Sequence, residues 1–227
     1  RGNERILDVG CGDGKITAEI ARAIPEGEAV GVDASPQMIE FAGKTFPASK
    51  IPNLEFHVMD ARKVEFVRKF GLVFSNAALH WMKRPEDVLR GVQQALKPGG
   101  RFAGEFGGHG NVAAIYTALL AVFARHGVDL TPHLLFFPTP AEYQVLLEKH
   151  GFRVESIALI PRPTPLPTGM SGWLHTFARG FLSMLPEPEG AIALEETLQL
   201  LRPILCDTQG QWIADYVRLR FLARLSA

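Results

Sequence analysis

Apolar residues along this chain fall into two alternating rhythms. Short runs of strand formers, Ile6-Leu7 with Val9, Ala29-Val30 with Val32, the alternating stretch 53–59, Phe70 to Phe74 and Phe102 to Phe106, are separated by segments whose apolar residues recur every three or four positions. Ile16, Ile20 and Ile24 follow the first run, Met38, Ile39, Ala42 and Phe46 the second, and Val88, Leu89, Val92 and Leu96 the fourth. The punctuation agrees. Ser35 before Pro36 reads as a helix N-cap with proline at the first helical position, Pro85 opens another helix, and Lys97-Pro-Gly-Gly100 stops it and turns into the fifth strand. Strand and helix in strict alternation predict an α/β fold, a doubly wound parallel sheet covered by helices on both faces.

Beyond Gly107 the pattern changes. Residues 111–126 carry Ile115, Leu119, Val122 and Phe123 at core-facing helical spacing, and Thr139-Pro-Ala-Glu142 is a capping box whose helix ends at Gly151. Phe152 to Ile160 reads as a sixth strand, and the proline-rich Pro161 to Pro167 then leads the chain out of the sheet. Two helical patterns follow up to about Cys206, one from Ser171 and one from Ala191, before the alternation over Tyr216 to Phe221 marks a seventh strand. With neither repeats nor low-complexity linkers, a single domain over 1–227 is expected, with 163–206 as a helical insertion between the sixth and seventh strands.

Composition narrows the partners. A chain of 227 residues, 47% hydrophobic and 21% charged, can bury a sizeable core. Its 24 basic and 24 acidic residues cancel, which gives no electrostatic reason to expect nucleic acid or an anionic membrane and leaves small molecules as ligands. Two cysteines, Cys11 and Cys206, show no metal-ligand spacing and suit a reducing compartment. No apolar run reaches the roughly 18 residues of a membrane span and no signal-peptide pattern opens the chain, so a cytoplasmic protein is expected. The first strand begins almost at residue 1, so the chain is expected to lack its natural start.

The candidate chemistry lies where the first strand ends. Asp8-Val-Gly-Cys-Gly-Asp-Gly14 places glycine at every second position of a strand-to-helix turn, where the backbone must adopt positive φ and let a ligand approach. The dinucleotide fingerprint would need a small residue at Lys15, and a phosphate loop would need Gly-Lys-Ser/Thr; neither fits. A turn that merely lets helix and strand pack is the alternative. Asp33 closes the second strand beside that turn, where a carboxylate can accept two hydrogen bonds from a ribose diol, and Asp60 with Ala61 closes the third, where the acid can accept from an adenine amine while a neighbouring N–H meets a ring nitrogen. A solvated turn is the plain reading of Asp33.

Leu7 to Gly14, Asp33, Asp60-Ala61, Phe74-Ser-Asn-Ala-Ala-Leu-His-Trp81 and Leu96 to Phe102 together resemble the class I S-adenosylmethionine-dependent methyltransferases, most closely the branch of the trans-aconitate methyltransferases. That resemblance covers about the first half of the chain. It implies a Rossmann-like, seven-stranded, mostly parallel sheet whose last strand is antiparallel and lies beside the sixth, with S-adenosylmethionine as cofactor, S-adenosylhomocysteine as product and no metal. It implies that Gly10, Gly12 and Gly14, with Asp8 and Cys11, run beneath the ribose and methionine, that Asp33 and Ala34 meet the ribose, that Met38 packs on adenine, that Asp60 and Ala61 read its edge, and that Asn76 and Ala77 line the methionine end. The leading helices usual in the family are not present in this chain.

Methyl transfer needs an acceptor aligned with the sulfonium and shielded from water. A carboxylate acceptor is already ionised at neutral pH, whereas an alcohol or phenol benefits from a base. His80 is the candidate base or donor, with Trp81 as packing or lid; packing over the cofactor is the alternative for the histidine. Glu105 and His109 fall at the rim after the fifth strand, and Arg162, His175 and Arg179 lie in or next to the insertion, where an arginine suits an acidic substrate. Trp173, with Phe177 and Phe181, is either a substrate box or the insertion's own core. The expectation is O-methylation of a small-molecule carboxylate. The alternatives are a methyltransferase-fold binding or regulatory protein without turnover and, disfavoured by Lys15 and Asp60, a nicotinamide-dependent oxidoreductase.

Overall fold

The computed structural model describes residues 2–226. Its strands and helices alternate from the start: β1 (Arg5–Val9), α1 (Lys15–Ala23), β2 (Glu28–Asp33), α2 (Pro36–Thr45), β3 (Leu54–Val58), β4 (Phe70–Asn76), α3 (Pro85–Ala95) and β5 (Leu96–Gly107). Then come α4 (Ala113–Arg125), α5 (Pro140–Lys149), β6 (Phe152–Pro161), β7 (Thr164–Pro165), α6 (Gly169–Phe177), α7 (Arg179–Leu182), α8 (Glu189–Leu205), β8 (Ile213–Ala214) and β9 (Val217–Leu225). The expected caps form: Ser35 Oγ accepts from the Met38 N–H, and Thr139 and Glu142 complete their reciprocal box.

Seven strands make one sheet in the order β3-β2-β1-β4-β5-β9-β6. It is mostly parallel, with β9 as the antiparallel strand. β1 pairs in parallel with β2 on one side, Leu7 opposite Val30, and with β4 on the other, Leu7 opposite Val73. The chain therefore winds outward from β1 through β2 to β3 and then crosses to β4, which makes the carboxyl end of β1 a topological switch point. Alternation along each strand feeds two cores. Leu7, Val9, Val30 and Val32 join α3 and α5 through Val88, Leu89, Val92, Tyr143 and Leu147, while Ile6, Ala29 and Leu54 pack with Ala18 and Ala21 of α1. Aromatic rings weld the far side of the sheet, Phe102 to Phe221 at 4.8 Å and Tyr143 to Phe221 at 5.1 Å between centroids.

The chain forms two compact units. One is the sheet unit, made of the residues up to Gly108, Phe136–Leu159 and those from Leu219 on. The other is helical, His109–Leu135 with Ile160–Arg218, so α4 packs as one body with α6, α7, α8 and the β7–β8 ribbon.

Three details depart from the pattern of the sequence. Lys97-Pro-Gly-Gly100 lies within β5, accommodated by a register shift against β4 between Phe70 and Leu72 and by Gly99 at φ 73°. Two residues of the proline-rich bend pair as β7 with β8. The tail breaks at Asp215-Tyr216 into β8 and β9, because the Asp215 carbonyl accepts from the Val112 N–H at 3.0 Å and its Oδ2 accepts from the Ala114 N–H at 2.8 Å, which turns this residue into the cap of α4.

Candidate active site

The glycine turn is drawn across the end of β2 by two backbone bonds, from the Gly10 and Cys11 N–H groups to the Val32 carbonyl at 2.8 and 3.0 Å. Gly10, Gly12 and Gly14 all adopt positive φ, 76°, 55° and 77°. Their surroundings differ. A Cβ on Gly10 would overlap the Ala78 methyl, and one on Gly14 would press on the Phe56 ring and Ala42, so those two glycines serve close packing. A Cβ on Gly12 would meet nothing within 4 Å. Gly12 alone of the three has open space where a Cβ would be.

Beside this turn, over the strand ends, lies a cavity of about 510 Å³ whose lining includes Gly10 but neither Gly12 nor Gly14. Of the residues expected there it is lined by Gly10, Asp33, Ala34, Asp60, Ala61 and Trp81. The sheet order sets them in a row, Asp60 after β3, Asp33 on β2, Gly10 after β1, and the turn Ala78–Lys83 after β4. Asp33 is fixed by backbone donors, its Oδ2 accepting from the Gly12 N–H at 3.0 Å and its Oδ1 from the Ser35 N–H at 2.9 Å. Each oxygen keeps lone-pair capacity for another donor. Asp60 is held differently. Arg62 grips it through Nε, 3.0 Å from both oxygens, and Nη2, 2.6 Å from Oδ2, while the Arg62 N–H donates to Oδ1 at 2.9 Å. The side-chain bonds from Arg62 hold the carboxyl down at about 2, against a smaller opposing effect of burial.

Six lining residues were not anticipated as site residues from the sequence: Val32, Met59, Arg62, Ala78, Met82 and Lys83. The signal for Arg62 was present, a base two residues after an acid that caps a single helical turn, Ala61–Lys63.

Other expected cofactor residues lie beneath or beside the cavity. Asp8 is 2% exposed and accepts from Thr17 Oγ at 2.6 Å, so it ties β1 to α1 and does not reach the lining. Burial pushes its carboxyl up to about 6, the Thr17 bond pulls it partly back, and the Asp33 charge adds to the rise. Cys11 is buried, and burial, then the charges of Asp8 and Asp33, push its thiol up, which removes thiolate chemistry. Met38 is exposed on α2, outside the lining. Asn76 ends β4 opposite Glu105, and Ala77, at φ 54°, donates its N–H to the Glu105 carbonyl at 2.7 Å. A left-handed alanine at a strand end is the kind of strain that collects at functional sites.

His80 is buried between Trp81 and Phe137, with ring centroids at 5.6 and 5.8 Å. Its Nδ1 accepts from the Gly107 N–H at 3.3 Å, which leaves the proton of the neutral ring on Nε2. Ser75 Oγ donates to the Val9 carbonyl at 2.7 Å and locks β4 to β1 at the switch point.

The rim residues separate. Glu105 is bound by Arg220 Nε at 2.7 Å within the sheet unit. His109, Arg162, Trp173 and Arg179 belong to the helical unit. There Trp173 is 7% exposed, donates from Nε1 to the Tyr216 hydroxyl at 2.6 Å and packs on Phe177, so it is part of that unit's core. His175 and Arg179 line a separate hollow of about 270 Å³ with Glu187. Among the described residues no group of three His, Cys, Asp or Glu side chains is placed to hold a metal ion, and no helix is long and apolar enough to cross a membrane.

Comparison with known proteins matches this architecture to a lineage. Residues 6–100 fit the family model described as a methyltransferase domain. The chain is 37% identical over 230 aligned positions to the uncharacterized methyltransferase C70.08c of Schizosaccharomyces pombe, spanning 97% of this chain and 86% of that protein. It is 33% identical over 206 positions to a trans-aconitate 2-methyltransferase of Deinococcus radiodurans, 84% of this chain and 76% of the other. Among solved structures, the phosphoethanolamine N-methyltransferase 2 of Haemonchus contortus, in complex with phosphomonomethylethanolamine and S-adenosylhomocysteine, superposes with a TM-score of 0.60 at 19% identity, over 99% of this chain and 49% of that one. With the switch-point cavity, the sheet order and these relatives in hand, the chain belongs to the class I S-adenosylmethionine-dependent methyltransferases.

Proposed function

We propose that the cavity over the strand ends holds S-adenosylmethionine and that the enzyme methylates a carboxylate oxygen of a small molecule. The observation that carries the reading is the pairing of Gly12 with Asp33: an open Cβ direction on the turn beside a carboxylate whose two oxygens are fixed by backbone N–H groups. That is a cradle for a ribose, since both oxygens retain capacity for a diol. Ala61 and Asp60 stand at the base end of the row, and Gly10 with Ala78 at the methionine end. When bound, the cofactor supplies a sulfonium methyl group to an acceptor lone pair held in line with the carbon–sulfur bond.

The remaining work falls to the chain. Trp81 and Met82 form an apolar wall that keeps water from the transfer. No histidine lines the cavity among the described residues, and Nδ1 of His80 is already occupied by the Gly107 N–H. A site without a free base suits an acceptor that carries no proton at neutral pH, and the Deinococcus radiodurans relative, by its name, acts on a tricarboxylate. His80 then packs against Trp81 beside the site and is not the base.

Calorimetry with S-adenosylhomocysteine tests the cofactor half: binding is expected, with a roughly 10- to 100-fold loss in Asp33→Ala. No binding, or binding indifferent to Asp33, overturns it. A panel of carboxylates, phenols and amines, read by mass spectrometry, tests the acceptor half. The expected product is a methyl ester cleaved by mild alkali, and an alkali-stable product overturns it.

A further inference from the structure

Adenine presents its exocyclic amine between two ring nitrogens, both of them acceptors. An acidic side chain matches the amine, and a backbone N–H such as that of Ala61 matches one neighbouring nitrogen. The other nitrogen needs a second donor. Arg62 is placed to give it. Arg62 lines the same cavity as Asp60 and Ala61, and its guanidinium is held by the Nε and Nη2 bonds to Asp60. Those bonds leave Nη1 without a hydrogen bond among the described residues. Guanidinium carries five N–H donors in a rigid fork, so pinning one edge aims the other. On Asp60, Oδ1 takes the Arg62 N–H and Oδ2 takes Nη2, with Nε shared between the two oxygens, so the amine joins as a further donor to a carboxylate that Arg62 already orients.

We propose that Arg62 is a base-reading residue: Asp60 accepts from the adenine amine while the free edge of the Arg62 guanidinium donates to the adjoining ring nitrogen. The inference rests on the cofactor reading above and adds to it a residue that selects the base. Here the acid and the arginine act as one donor–acceptor unit, and the ion pair serves to orient the fork. As an exposed pair it would stabilise the fold little.

A chemical cycle tests it. S-adenosylhomocysteine and its 1-deaza and 7-deaza analogues, in which CH replaces one ring nitrogen, are titrated into the wild-type protein, Arg62→Ala and Arg62→Met, with thermal melts to verify folding. Arg62→Ala is expected to bind S-adenosylhomocysteine about tenfold more weakly. One of the two deaza analogues is expected to lose a similar factor in the wild type and nothing further in either variant. If, for both analogues, the deaza penalty is of equal size in all three proteins, the proposal is overturned, because Arg62 would then be supporting structure only. Unchanged or tighter binding of S-adenosylhomocysteine by Arg62→Ala also overturns it, the latter meaning that Arg62 competes for Asp60. If the wild type binds none of these ligands, the cofactor reading itself fails, a different result from failure of the base-reading step.

Discussion

The sheet unit and the helical unit spend their polar groups in opposite ways. At the strand ends, Asp33 is held by backbone donors and Gly12 faces open space, so the chain stops short of saturating its own groups. In the helical unit the polar side chains pair with one another or with its backbone: Trp173 with Tyr216, Asp215 with the first turn of α4, Asn111 Oδ1 with the Val217 N–H at 3.0 Å and, on the surface, Arg125 with Glu196 at 2.8 Å. A ligand site is recognised by bonding capacity that is fixed in place and left unused. A structural unit is recognised by capacity mostly consumed locally, Asp215 Oδ1 being a buried oxygen left over in the helical unit.

Substitutions can break that contrast, and the largest effect is expected at Gly10. Valine there combines positive φ with overlap on Ala78, and chemical denaturation should show a loss of about 3 kcal/mol or more. Asp8 comes next and is read by pH. Because burial raises its folded carboxyl to about 6 from 3.8, the unfolded chain releases the proton first, and stability falls as pH rises across that window and then levels. Asp8→Asn should flatten this decline, worth about 3 kcal/mol for a shift of that size, in melts between pH 4 and 7. Asp60 has the opposite sign: its lowered carboxyl contributes stability above about pH 4 that is lost as pH falls toward 2.

Gly12 sharpens the comparison at a smaller scale. Gly12→Ala meets no atom within 4 Å and should cost only about 1 kcal/mol for its positive φ, yet it places a methyl in the cradle, so S-adenosylhomocysteine affinity should drop by roughly tenfold. Stability lost with affinity intact would mean that Gly12, like Gly14, serves packing. The smallest effect belongs to Trp173→Phe, which removes the bond to Tyr216 and should lower stability by about 1 kcal/mol while leaving S-adenosylhomocysteine affinity unchanged. A change in acceptor KM in that variant would instead give Trp173 a substrate role.

What the sequence made legible follows from the same physics. Glycine at positive φ, proline at a helix start and acids at strand ends are demands of local backbone geometry, so the turn, the caps at Ser35 and Thr139 and the row of strand ends could be read without coordinates. Tertiary pairing was not legible. Asp8 looks like a site acid until Thr17, in the first turn of α1, proves to be its partner, and Asp60 looks free until Arg62 folds back on it. The division of the tail had no local signal either, since Asp215 bends the chain to satisfy amides of α4 roughly a hundred residues earlier. Strands of two residues, such as β7 and β8, carry too little alternation to announce themselves.

The place of β9 has a consequence for how the protein is made. Since β9 lies between β5 and β6 and follows both in the chain, it joins two strands already synthesised before it. Until it leaves the ribosome, β5 keeps one bare edge and β6 has no neighbour in the sheet, a state open to mispairing with other nascent chains. The half of the sheet that carries the glycine turn has no such wait, and β1 to β4 can assemble while the remainder is still being translated.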